Sequence, residues 1–252
     1  MLFGFTRLRQ VCPAISGQQH RLRRAINTST CPLKIISAIP RITTYYLVKV
    51  HKMETPFKWS APPGSDIWKQ PPSTDVFTAP FTTHSKKPLK QFISATLTFR
   101  TKYIHQYDQA CLLLTFTNPN SPTPRKWIKT GIELYNDHPR YSTVTCDQWA
   151  DWSVEKVGAE NEAGVRNGEK CVTVKVQKVQ DALGLCMWTY RVDEDGDKTP
   201  LRQTNWVYGD NGGEGWDLEV AAAVARPDPK KEIKEDLEVT FEKFKVEWDE
   251  TA

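Results

Sequence analysis

From Phe57 onward the chain runs in short stretches of β-branched and aromatic residues, each cut off by Pro, Gly, Asn or Asp. The stretches recur roughly every ten residues, and none sustains the 3.6-residue period of an amphipathic helix. A chain so patterned does not supply the alternating strands and helices of a parallel sheet. It predicts an all-β protein, two antiparallel sheets packed face to face. The expected strands are Phe57–Ser60, Asp66–Gln70, Asp75–Thr78, Phe92–Arg100, Gln109–Thr117, Trp127–Tyr135, Arg140–Thr145, Asp151–Val154, Glu169–Lys178, Ala182–Val192, Gln203–Tyr208, Asp217–Val224 and Val239–Trp248.

The breaks between them carry their own chemistry. Asn136-Asp137 and Asp195-Gly196 tolerate positive φ and predict hairpins. Asn118–Pro124 holds three prolines that cannot donate to a ladder and is read as loop. Arg226–Glu235, proline-rich and densely charged, is read as a solvated connection. Within Trp127–Leu134 side chains reverse at each residue, so Ile128, Ile132 and Leu134 oppose Trp127, Lys129 and Glu133. The last strand alternates less cleanly: Val239 and Phe241 fall in one phase, Phe244, Val246 and Trp248 in the other.

Charge divides the chain. Of its 34 Lys and Arg, nine lie in residues 1–52, which contain no acid; the remaining 25 face 30 Asp and Glu over residues 53–252, a net of −5. The predicted organisation is therefore a basic leader, 1–52, and a β-sandwich domain, 53–252. The leader reads either as a mitochondrial presequence or as upstream sequence preceding a start at Met53, and in both readings lies outside the fold. Location follows the same choice, cytoplasmic or, with a genuine presequence, mitochondrial. An acidic domain lacks the clustered Lys and Arg that displace counterions from phosphates, so nucleic acid is not expected as a partner. No 18-residue run of uncharged apolar residues is present, so no membrane partner is expected either.

The six cysteines show no Cys-x-x-Cys spacing and no histidine at ligand spacing, so no metal site and no cofactor are expected. Cys111, Cys171 and Cys186 fall in strand-like runs and are expected as buried free thiols. Asp193, Asp195 and Asp197 flank a turn glycine and lack the carboxylate that would close a calcium loop, since the twelfth position is Thr204. The five histidines are scattered, and their spacing suggests no charge-relay triad.

Three blocks in order, Tyr107-Asp108-Gln109-Ala110-Cys111-Leu112-Leu113-Leu114, Lys126-Trp127-Ile128-Lys129-Thr130-Gly131-Ile132-Glu133-Leu134 and Asp151-Trp152-Ser153, resemble a concanavalin A-like family of unknown catalytic role that includes the fungal regulator of enolase. Val220–Pro229 and Val239–Trp248 are similar to that family's last two strands, and the resemblance covers most of residues 56–250. It implies a jelly-roll sandwich with one concave sheet, and a soluble fungal protein tied to carbohydrate metabolism. Cys111 departs from the pattern, which has glycine there, as does the proline-rich insertion at 118–124.

Within this frame binding is favoured over cleavage. The alternating carboxylates that retaining sugar-cleaving enzymes of this fold carry on one strand are absent, leaving Glu133 as the one strand carboxylate on which a glycosidase or lyase could rest. Indole faces beside hydrogen-bonding groups suit the C–H faces and hydroxyls of sugars. Trp59, Trp68, Trp216 and Trp248 are assigned to packing; Trp127, Trp149 and Trp152, set among charges, suit packing and binding alike. The expected ligand-binding set is Tyr107, Asp108, Gln109, Trp127, Lys129, Glu133, Trp152 and Arg191, with Asp108 also placed to cap a turn and Arg191 to pair with Glu133. The expected partners are a carbohydrate or small metabolite, or another protein.

Overall fold

The computed structural model describes residues 48–53, 55–123 and 125–251. In chain order the strands are β1 (Val48–Lys52), β2 (Phe57–Ala61), β3 (Ile67–Gln70), β4 (Thr74–Phe77), β5 (Phe81–Pro88), β6 (Phe92–Arg100), β7 (Gln109–Thr117) and β8 (Arg125–Tyr135). There follow β9 (His138–Cys146), β10 (Ala150–Lys156), a helix α1 (Ala159–Asn167), then β11 (Val172–Asp181), β12 (Gly184–Val192), β13 (Lys198–Thr204), β14 (Asp217–Ala225) and β15 (Leu237–Asp249). Two large antiparallel sheets result, with β3 and β4 paired apart from them. One is ordered β1-β15-β6-β11-β12-β13, with β2 also on β15; the other β10-β9-β8-β7-β14-β5. This is the jelly-roll sandwich that the sequence implied. Among the described residues no helix is long and apolar enough to cross a membrane.

The core between the sheets follows the period-2 pattern. Leu97 and Phe99 of β6, Val174 and Val176 of β11, Leu112, Leu114 and Phe116 of β7, and Ile128, Ile132 and Leu134 of β8 are all buried in one cluster. Lys129 and Glu133 turn to the other side of β8, as the alternation required. In β15 both phases of the mixed pattern reach the core, because the register with β6 shifts between Phe241 and Lys243. The bulge at Glu242 carries burial from Val239 and Phe241 over to Phe244, Val246 and Trp248.

The β7 sheet is apolar on its outer side too. Cys111, Leu113, Trp127, Val144, Cys146 and the three alanines Ala221, Ala223 and Ala225 form a second cluster, covered by Ile67 and Ala79 from the hairpin region of β3 and β4. Alanines there let that hairpin lie close to the sheet. This explains why β7 reads as a continuous apolar run rather than an alternating one.

Several expectations are corrected by the structure. Val48–Lys52, assigned to the leader, pair antiparallel with β15 from Asp249 back to Lys245. Residues 1–47, which carry the rest of that assignment, lie outside the described residues. Gln203–Tyr208 is not one strand: β13 ends at Thr204, and Trp206–Tyr208 is a turn of 3-10 helix. β5 and α1 were not expected. Cys171 is exposed rather than buried, while Cys111, Cys146 and Cys186 are buried free thiols. The Asn136-Asp137 hairpin is present with φ of 50° and 65° at its two residues, the left-handed pair that matches strand twist.

Candidate functional site

On the outer face of the β7 sheet, where the β3–β4 hairpin stops covering it, lies a cleft of about 290 Å³. That is near the lower end of the ~300–1,000 Å³ common for small-ligand sites. The strand pairing assembles its floor. Glu133 stands opposite Gln109 on β7, Lys129 lies opposite Val144 on β9, and Val144 lies opposite Trp152 on β10. Directly opposed residues share a face, so four strands deliver these side chains to one spot. The hairpin supplies Asp66, Trp68 and Gln70 from one side, and the turn before β7 supplies Tyr107 from the other.

The floor is one hydrogen-bonded chain. Lys129 Nζ donates to Gln109 Oε1 at 2.8 Å and to Asp66 Oδ1 at 3.3 Å. Gln109 Nε2 reaches Glu133 Oε1 at 3.5 Å. The other oxygen, Glu133 Oε2, accepts from the Ser142 hydroxyl at 2.7 Å and the Trp152 indole N–H at 3.1 Å. Gln109, Lys129 and Glu133 are each 5% exposed. Burial pushes the Glu133 carboxyl above its ordinary 4.5, against the opposing pull of Lys129 and of the Ser142 bond. Tyr107, Tyr135 and Trp152 form an aromatic row along the rim, with centroid separations of 6.1 and 5.1 Å.

A second polar structure holds the rim in place. Arg226 grips Asp108 with two bonds of 2.8 Å, Nε to Oδ1 and Nη2 to Oδ2, and both residues are essentially sealed from solvent. Asp108 Oδ2 also accepts the backbone N–H groups of Ile104 and His105. That fixes the turn in which Tyr107 sits at φ 69°, a left-handed backbone that a tyrosine rarely adopts. On the other side the Arg226 amide donates to Ser65 Oγ and its carbonyl accepts from Gly64, anchoring the segment that leads to Asp66. One arginine thus positions both walls of the cleft.

Of the expected binding residues, the fold brings Tyr107, Gln109, Lys129, Glu133 and Trp152 to the cleft. Three are elsewhere. Asp108 is the buried partner of Arg226, and Arg226 is interior rather than part of a solvated connection. Trp127 is 1% exposed in the second apolar cluster, one turn of the pleat beyond Lys129. Arg191 sits on the other sheet beside Tyr141, 5.8 Å from its ring, and faces Glu155 at 4.0 Å instead of Glu133. Trp68, expected in packing, lines the cleft, and Asp66, Gln70, Ser142 and Val144 were not anticipated. The register given by Asn136-Asp137 places Ser142 opposite Gly131, beside Glu133, so that one was within reach of the hairpin geometry. Asp66, Trp68 and Gln70 were not, since they come from a hairpin whose docking no local pattern announces.

Close approach of chains occurs at Gly131 rather than at Cys111. A Cβ on Gly131 would collide with the Ala110 carbonyl oxygen and stand 2.7 Å from Cys111 Cα. Burial pushes the Cys111 thiol up to about 12, so it is inert at neutral pH. Among the described residues no group of three or more His, Cys, Asp or Glu is arranged to hold a metal ion.

Residues 48–248 match a family described as a protein of unknown function (DUF1349). An uncharacterized protein of Emericella nidulans is 35% identical over 152 residues, spanning 60% of this chain and 68% of its own. Among solved structures, a functionally unknown protein from Saccharomyces cerevisiae superimposes with TM-score 0.54 at 16% identity, over 78% of this chain and 94% of that one. A lectin from Bauhinia forficata in complex with GalNAc aligns at TM-score 0.45 and 8% identity, over 81% and 98%.

Proposed function

The chain belongs to the DUF1349 family of unknown function, and from that premise and its cleft we propose that it binds a small carbohydrate or related metabolite without turning it over. The observation that carries this reading is the kind of polar group the cleft offers. Lys129 donates, Asp66 accepts, and Gln70 and the Tyr107 hydroxyl can do both. A sugar hydroxyl also donates and accepts, so it satisfies such a mixed set where a pure donor or acceptor would leave groups unpaired. The half-buried faces of Trp68, Trp152 and Tyr107 give its C–H surfaces something to stack on.

Binding is favoured over cleavage because Glu133 is already engaged at both oxygens and held by its own neighbours. The wider role we propose is regulatory: the ligand reports a metabolic state to a protein partner, with enolase the first to test. That half rests on the sequence resemblance; the location proposed is cytoplasmic, or mitochondrial if residues 1–52 are a genuine presequence.

Titration calorimetry against a panel of neutral mono- and disaccharides tests the binding reading. One member should bind wild type, and Trp152→Ala should lose at least tenfold in affinity, about 1.4 kcal/mol. Absence of binding across the panel would count against it. Release of product from a glycan, abolished by Glu133→Gln, would replace binding by catalysis.

A further inference from the structure

Resting on that reading, we propose that the cleft selects uncharged sugars and rejects their acidic and phosphorylated counterparts, and that Asp66 sets this selectivity by occupying Lys129. Three charged side chains line the cleft: Asp66, Lys129 and Glu133. Two are acids and one is a base. An incoming carboxylate or phosphate needs a cation whose N–H groups can turn to it. Lys129 is the one cation lining the cleft among the described residues, and Asp66 Oδ1 at 3.3 Å and Gln109 Oε1 at 2.8 Å already hold it. An anion brought to Lys129 would also stand beside the Asp66 carboxylate, whose charge repels it.

The same arrangement disfavours an amine. An ammonium would meet the Lys129 charge on the cleft floor, and Asp66 cannot serve both cations with the oxygen it gives to Lys129. A neutral hydroxyl has neither difficulty. It can accept from Lys129 and donate to Asp66 without disturbing their pairing.

Asp66 is suited to this role by its second attachment. The oxygen that meets Lys129 also accepts the Ile67 backbone N–H at 2.7 Å, which fixes the carboxylate at the start of β3. An asparagine can keep that backbone bond through its amide oxygen while removing the charge. Asp66→Asn therefore leaves the hairpin tied and removes the negative charge that faces an anion beside Lys129.

The test is a matched series on wild type and Asp66→Asn by calorimetry: glucose, glucuronate, glucose 6-phosphate and glucosamine, and the corresponding set for any other neutral sugar that binds. Wild type should bind the neutral member at least tenfold more tightly than its acidic, phosphorylated or amino counterpart. Asp66→Asn should narrow the neutral-to-acidic ratio at least fivefold. Equal or tighter binding of a charged counterpart by wild type would overturn the selectivity while leaving a sugar-binding site intact. An unchanged ratio in a folded Asp66→Asn would remove Asp66 from the role. No binding by any member would defeat the binding reading itself and this inference with it. Should the variant not fold, the wild-type series alone decides the selectivity.

Discussion

Burial raises the Glu133 carboxyl above its ordinary value, and that gives stability a pH dependence of known sign. Its folded value is raised above the ordinary 4.5, so the protonated form gains on folding. The contribution is fully present below the unfolded value and is lost as pH rises through the folded one. The melting temperature of wild type should therefore fall relative to Glu133→Gln as pH climbs above about 4.5. Parallel melting curves at every pH would show that the carboxyl is not perturbed by folding. Asp108 makes the opposite kind of demand. Asp108→Asn leaves the Arg226 guanidinium buried beside a neutral amide, and denaturant unfolding should show a loss of about 3–5 kcal/mol. A loss under 1 kcal/mol would mean the pair does not hold the rim. The alternation of β8 made Lys129 and Glu133 legible as outward residues, and the start of β7 did the same for Gln109. Asp108 caps its turn, as one of its two readings had it, but its buried arginine partner lies 118 residues away, a distance no local pattern spans.

Strands that alternate or run fully apolar were legible nearly to the residue, since burial on one face or two leaves a mark in the side chains. β6 and β7 are such cases. The elements that escaped leave little mark. β5 is an edge strand of threonines and lysines ending at Pro88, and α1 spans nine residues of which Val165 alone is buried. The β15 bulge explains the confused phase of the last strand, and a single residue bears it. Without the bulge, a regularly alternating strand that kept Glu242 would turn Lys243, Lys245 and Glu247 inward or Phe241 outward. β1 offers a test at this scale. A chain beginning at Val48 should be more stable than one beginning at Met53 by about 1–3 kcal/mol, a few net ladder hydrogen bonds along β15. Equal stabilities would show that the β1 pairing contributes nothing.

At the scale of the molecule, the two sheets supply rigidity and one outer face supplies the site. The β3–β4 hairpin covers part of that face with apolar packing and stops at Asp66 and Trp68, leaving polar groups of β7 and β8 under a half-open roof. Arg226 joins the hairpin approach, the Tyr107 turn and the segment before β15, where its Nη1 donates to the Glu235 carbonyl. The cleft is thus a property of the tertiary fold. The sequence pattern reached its floor but not its far wall, because the floor is set by strand register and the wall by docking. The most direct test is a ¹H–¹⁵N spectrum of the indole N–H groups during titration with the neutral sugar panel. The signals of Trp68 and Trp152 should move, while those of Trp127 and Trp248, buried in the two apolar clusters, stay fixed. Shifts confined to tryptophans away from the cleft, or none with any sugar, would contradict the assignment.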